Sequence, residues 1–213
     1  VLYFKNIFSK SNILVDQIIC SSYARSINYK DALNLSGHIS FIDIGFNRTS
    51  VISYFDDKIL SLDILPIGGN HITKDISKIL EIDFEKSEQV KCNLDQNLKF
   101  SKGENISIEI LYKVIFARTE EILELCAKFS ASNSYTLGKL KMILMGEGSK
   151  ILDNQNKDKI SFSNDIDFLE ETSLDICESG FKFITGLNKQ EVVVVPKKQT
   201  KQGFFEKFFH FFW

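Results

Sequence analysis

An α/β fold is predicted by three features of the sequence. Three short strands lie close together, His38–Ile42, Thr49–Tyr54 and Lys58–Leu65, separated only by turns. That spacing is the signature of an antiparallel meander. Amphipathic helical stripes follow over 71–80, 83–91 and 108–129, with apolar residues three and four apart. Finally, an apolar strand, Lys141–Met145, runs into the glycine-bearing turn Gly146-Glu147-Gly148-Ser149.

In chain order, Leu2 to Ser11 carries an apolar helical face and Val15 to Ile19 reads as a short strand. A helix is predicted over Ser21–Asp31 and a turn over Asn34–Gly37. The meander follows, with Asp56-Asp57 as its second turn and Pro66 as its end. Gly68-Gly69-Asn70 opens the helix 71–80, whose inner face is Ile72, Ile76, Ile79 and Leu80. The long helix 108–129 buries Leu111, Ile115, Ile122, Cys126 and Phe129, with Arg118 in the same stripe. An arginine there is expected to snorkel or to form a structural ion pair. Asn93–Asn105, Ser130–Leu137 and Asn154–Lys159 read as polar connections. Asp175–Ile184 is predicted helical despite Gly180, and Glu191–Val195 reads as a last strand.

Composition narrows the function classes. A net charge of -2 over 213 residues gives no electrostatic case for nucleic-acid binding. The four cysteines and three histidines are scattered, with no CxxC and no metal-ligand spacing. No run of about 18 apolar residues exists to span a membrane. The chain starts at Val1 with no charged and apolar leader, so it is expected to be a fragment or a processed chain without a signal peptide.

Three glycine turns each follow an apolar strand: Gly45 after Phe41–Ile44, Gly68-Gly69 after Ile64-Leu65-Pro66, and Gly146-Glu147-Gly148 after Ile143–Met145. Glycine allows backbone amides to approach a phosphate closely. Asp43, at the end of its strand, is a candidate for holding magnesium near such a phosphate. The alternative is a set of ordinary turns, with Glu88 and Lys91 a surface ion pair at i,i+3.

The motifs Phe41-Ile42-Asp43-Ile44-Gly45, Leu65-Pro66-Ile67-Gly68-Gly69-Asn70-His71-Ile72-Thr73-Lys74-Asp75-Ile76, Ser87–Lys91 and Ile143–Ser149 together resemble FtsA. That family is the actin-like bacterial division protein that anchors the FtsZ ring. The similarity runs from about Phe4 to Leu187 and returns in the tail. It implies an actin-like (ribonuclease H-like) domain over 36–69 and 137–195, with a small α+β subdomain inserted over 70–136. Residues 1–35 would be the end of a preceding subdomain and the entry to this one.

The resemblance also implies site roles, with ATP and Mg2+ as cofactors. Asp43 would hold magnesium through water. Gly45, Asn47, Arg48 and Thr49 would form a phosphate turn, approached by Gly68 and Gly69. Glu88 and Lys91 would lie near the ribose and adenine, and Gly146, Gly148 and Ser149 would face the nucleoside. No catalytic residue is expected. Phe46, Asn47 and Arg48 replace the family's Gly-Gly-Thr, and Glu147 replaces a glycine. The family's first domain, with the other phosphate turn, is expected to be missing from this chain. The chain is therefore expected to bind ATP weakly or not at all.

The last stretch is read from its own pattern. A basic linker, Pro196–Gln202, precedes Gly203-Phe204-Phe205-Glu206-Lys207-Phe208-Phe209-His210-Phe211-Phe212-Trp213. At about 100° per residue, Phe204, Phe205, Phe208, Phe209, Phe211, Phe212 and Trp213 cover some 200° of a helix, opposite Glu206, Lys207 and His210. A C-terminal amphipathic helix on a membrane surface accounts for the aromatics, the position and the lysines together. The expected function is a cytoskeletal adaptor that tethers FtsZ to the cytoplasmic face of the membrane at the septum, self-associates into filaments with ATP as ligand, and hydrolyses it slowly at most. The alternatives are a sugar kinase of the same superfamily and a nucleotide-free membrane adaptor.

Overall fold

A computed structural model describes residues 2–93, 107–131, 139–152 and 165–186 of the chain. Its elements are α1 (Leu2–Ser9), α2 (Ser21–Ala32), β1 (His38–Ile44), β2 (Thr49–Phe55), β3 (Lys58–Leu65), α3 (Gly69–Leu80), α4 (Phe84–Cys92), α5 (Ile108–Ala131), β4 (Lys141–Met145), β5 (Asp165–Phe168) and α6 (Ser173–Ile184). A 3-10 turn, Glu147–Ile151, follows β4. The predicted strand Glu191–Val195 and the amphipathic tail lie outside the described residues.

The five strands form one mixed sheet in the order β3-β2-β1-β4-β5. The meander is antiparallel as predicted, with Asp43 opposite Ser50 and Ile44 opposite Thr49. β4 then returns through the helices to lie parallel beside β1, Asp43 against Met145. A parallel neighbour needs such a long crossover. The central strand β1 is thus apolar on both faces, as strands covered on both sides must be. Successive side chains alternate. Ile42 and Ile44 face one core with Val51, Met142 and Leu144. Ile39 and Phe41 face the other with Ile52, Tyr54, Ile143 and Met145.

The first core is covered by α3, α4 and α5 through Ile72, Ile76, Val90, Leu111, Ile115, Ile122 and Cys126. The helices expected in an inserted subdomain therefore share the sheet's own core. Arg118 fastens α5 to α3: its Nε donates to Asp75 Oδ2 at 2.5 Å and its Nη1 to Glu121 Oε2 at 2.5 Å. The second core is covered by α2, through Ile27, with Tyr23 and Phe183 packed edge to face at its border.

Two local expectations are corrected. Val15–Ile19 is not a strand: residues 13–20 form no ladder with any of the five strands. An apolar run becomes a strand only where a neighbour pairs its backbone, and Leu14 is 95% exposed. Conversely, β5 pairs with β4 in parallel, Ile166 against Met142, although Asp-Ile-Asp-Phe is short and poor in β-formers.

Candidate functional site

The three glycine turns meet at the C-terminal end of β1. Gly45 N–H donates to Arg48 O at 2.9 Å, closing the β1–β2 turn. The start of α3 then docks onto that turn: Gly69 N–H donates to Gly45 O at 3.0 Å and Asn70 N–H to Phe46 O at 2.7 Å. Gly68 sits at the point of closest approach. A Cβ there would lie 2.4 Å from Gly45 O and 2.9 Å from both Arg48 N and Phe46 O. Its own N–H donates to His71 Nδ1 at 3.2 Å, so the helix start is capped from within. On the other side of β1, Gly148 packs on Ile44, where a Cβ would fall 2.5 Å from the Ile44 carbonyl oxygen.

Beside these turns opens a cleft of about 260 Å³. Gly45, Phe46 and Gly69 form one wall, Glu88, Lys91 and Cys92 of α4 the second, and Glu147, Gly148, Lys150 and Ile151 the third. Of the expected site residues, Gly45, Gly69, Glu88, Lys91 and Gly148 are thus brought together around one space. Asp43, Asn47, Arg48, Thr49, Gly68, Gly146 and Ser149 do not line it. Asn47 Oδ1 accepts from Asn70 Nδ2 at 2.7 Å, Thr49 Oγ1 donates to Ile67 O at 2.7 Å, and Ser149 Oγ donates to Gly146 O at 2.6 Å. These are turn-stabilising bonds. Phe46 and Glu147, which depart from the family's pattern, stand on the cleft wall, as do Cys92, Lys150 and Ile151. Spacing on an apolar strand does not reveal them, since each belongs to a turn or a helix end.

Lys91 is the structural centre of the cleft. Its ammonium is buried and donates to Gly69 O at 3.1 Å, Thr73 Oγ1 at 2.8 Å and Glu88 Oε2 at 2.7 Å. Three partners use all three protons of an ammonium. Nζ also lies 6.0 Å from the centre of the Phe46 ring, within cation–π range. Lys91 therefore binds α4 to the start of α3 and holds Glu88 at the rim. Burial raises the Glu88 pKa, but hydrogen bonds from Lys91 and Thr73 outweigh it and hold the carboxyl below the ordinary glutamate range. A carboxyl lowered in this way contributes stability above its unfolded pKa, which is lost as pH falls through the folded value. Glu88→Gln is expected to be less stable than wild type at neutral pH. The two should converge in urea unfolding curves as pH falls below the ordinary glutamate range.

Asp43 points to the opposite face of the sheet, continuing the Ile39–Phe41 side toward α2. Its Oδ2 accepts from Ser22 Oγ at 2.6 Å and from Arg25 Nη2. Arg25 Nη1 donates to Glu171 Oε2 at 2.7 Å, and Gly146 N–H donates to the same oxygen at 2.8 Å. Asp43 Oδ1 faces Gly146, where a Cβ would come within 2.2 Å of it. The oxygen Oδ2 is thus engaged by α2, where the resemblance implied a water-bridged magnesium.

Comparison with known proteins agrees with this frame. Residues 40–124, covering β1 through most of α5, match the family model for cell division protein FtsA. Over those residues the chain is similar to FtsA. It is 33% identical over 106 residues to FtsA of Buchnera aphidicola subsp. Schizaphis graminum (strain Sg), a match covering 49% of this chain and 25% of that protein. FtsA of Buchnera aphidicola subsp. Acyrthosiphon pisum (strain APS) matches at 26% over 233 residues, 94% of this chain and 55% of that protein. The chain thus spans about half the length of this FtsA relative and a quarter of the other. Among solved structures, MreB5 of Spiroplasma citri bound to ADP shares the fold with a TM-score of 0.63 at 17% identity, over 88% of this chain and 65% of that one. A ParM filament from Clostridium botulinum follows with a TM-score of 0.54 at 17% identity, over 77% and 52%. The chain shares an actin-like fold with these structures. No described helix is long and apolar enough to cross a membrane.

Proposed function

We propose that this chain, similar to FtsA over residues 40–124, is an FtsA-like, nucleotide-responsive adaptor of the division ring. An adenine nucleotide would enter the cleft nucleoside-first. The Phe-rich tail would hold the protein on the cytoplasmic membrane surface at the septum, and FtsZ and further copies of the chain would be its partners. The observation that carries the nucleotide part is the convergence of α4 and the Gly146–Ile151 turn on one cleft, from distant parts of the chain. Glu88 at the rim is an acceptor suited to ribose hydroxyls, and Phe46 and Ile151 offer apolar surface to a base. ADP and AMPPNP bound to MreB5 of Spiroplasma citri lend support by fold.

The membrane part rests on Phe204–Trp213. Each inserted phenylalanine contributes about 1 to 2 kcal/mol, less the cost of ordering the helix. The double substitution Phe208→Glu with Phe212→Glu is expected to abolish co-sedimentation with anionic liposomes. Unchanged pelleting of that variant would remove the tail as the anchor. A second reading, an adaptor working without nucleotide, is favoured by Lys91, whose protons are all spent inside the protein. It predicts FtsZ recruitment to vesicles that is unaffected by adding ATP.

A further inference from the structure

We propose that Arg25 is the built-in counter-ion of Asp43 and stands in place of a divalent cation at the end of β1. The arrangement joins three separate segments: Arg25 from α2, Asp43 from β1, and Glu171 just after β5. The Arg25 side chain is 4% exposed, Asp43 15% and Glu171 7%. A guanidinium is permanently charged and presents its donors as a fork. Here the two prongs go to different carboxylates, Nη2 to Asp43 and Nη1 to Glu171. Ser22 Oγ and the Gly146 N–H complete the set.

A magnesium ion requires near-octahedral oxygen donors and retains several waters. Asp43 Oδ2 already accepts two hydrogen bonds, and the Gly146 backbone stands close to Oδ1. A dication brought to Asp43 would also face the Arg25 charge in a largely dry environment, where like-charge repulsion is weakly screened. The chain supplies its own cation at the position, and the turn Gly146–Ser149 is pinned to the sheet through Glu171 by the same charge. Any nucleotide held in the neighbouring cleft is then held without metal at Asp43.

The test uses Mn2+ alone, monitored by electron paramagnetic resonance of the free ion, and needs no nucleotide. It therefore separates this inference from the reading of the cleft. The full chain and Asp43→Asn are expected to give the same Mn2+ titration. Arg25→Ala, left with two buried carboxylates and no cation, is expected to bind Mn2+ about tenfold or more tightly than wild type, and Arg25→Ala with Asp43→Asn to lose that gain. Arg25→Lys, which keeps a cation, should behave as wild type. Mn2+ binding by the wild type that Asp43→Asn removes would overturn the proposal, and so would a folded Arg25→Ala with no gain. Should Arg25→Ala not fold, the comparison of wild type with Asp43→Asn decides alone.

Discussion

Substituting alanine at Gly68 is expected to destabilise the protein by about 3 kcal/mol, while the same change at its neighbour Gly69 is expected to cost almost nothing. The difference lies in what each new methyl meets. At Gly68 it meets three backbone atoms, Gly45 O at 2.4 Å, Phe46 O at 2.9 Å and Arg48 N at 2.9 Å. None can rotate away, so the β1–β2 turn and the start of α3 must separate. The bonds from Gly69 and Asn70 N–H to that turn would go with them. At Gly69 the nearest atom is the Lys91 ammonium nitrogen at 3.5 Å, an ordinary van der Waals distance. Alanine also restricts the unfolded chain, which is worth about 0.4–1 kcal/mol where the backbone is compatible. Urea unfolding of the two variants measures both effects. Equal losses at the two positions would contradict the tight docking of the turn on α3.

The second large effect is expected at Arg25. Arg25→Met should cost about 3–5 kcal/mol, the usual penalty for leaving buried carboxylates without their cation. The loss is mainly a loss of compensation, so it should shrink when an accompanying change removes charge. In a double-mutant cycle, Arg25→Met and Asp43→Asn are expected to couple by about 2 kcal/mol. Glu171 keeps its Gly146 N–H bond in all of these variants. Thermal and chemical unfolding of the four proteins give the coupling directly. Additive losses would mean that the two side chains meet without interacting.

Much of the fold was legible because its elements are strongly periodic. The meander, the three core helices and β4 follow from alternation and from stripes at helical spacing, and β1 to β4 and α3 to α5 keep the predicted type and near the predicted limits. The failures have a common cause. Val15–Ile19 looks like a strand locally but finds no pairing partner, and Asp165–Phe168 does not look like one yet pairs with β4. Pairing is a property of the assembled sheet, not of the segment.

The site divides in the same way. Glycine turns after apolar strands marked the end of β1 beside which the cleft opens, because close backbone packing leaves no room for a Cβ at Gly68 and Gly148. The sequence could not distinguish Gly68, which packs against backbone, from Gly69, which lines the cleft. Nor could it link Arg25 to Asp43 and Glu171, since no periodicity connects positions so far apart. Lys91 was read as either a surface pair with Glu88 or a nucleoside neighbour. The structure puts it on the cleft wall with Glu88 and gives it Gly69 and Thr73 as well.

The cleft between α4 and the Gly146–Ile151 turn is the centre of the functional reading. It is best tested by following backbone amide shifts of the 15N-labelled chain during titration with ADP, which detects weak as well as tight binding. Shifts are expected to concentrate on Phe46, Lys91, Cys92, Gly148 and Ile151 and to disappear in Glu88→Lys, where a second cation faces Lys91. Shifts spread over surfaces away from the cleft, or none at millimolar ADP, would contradict that reading.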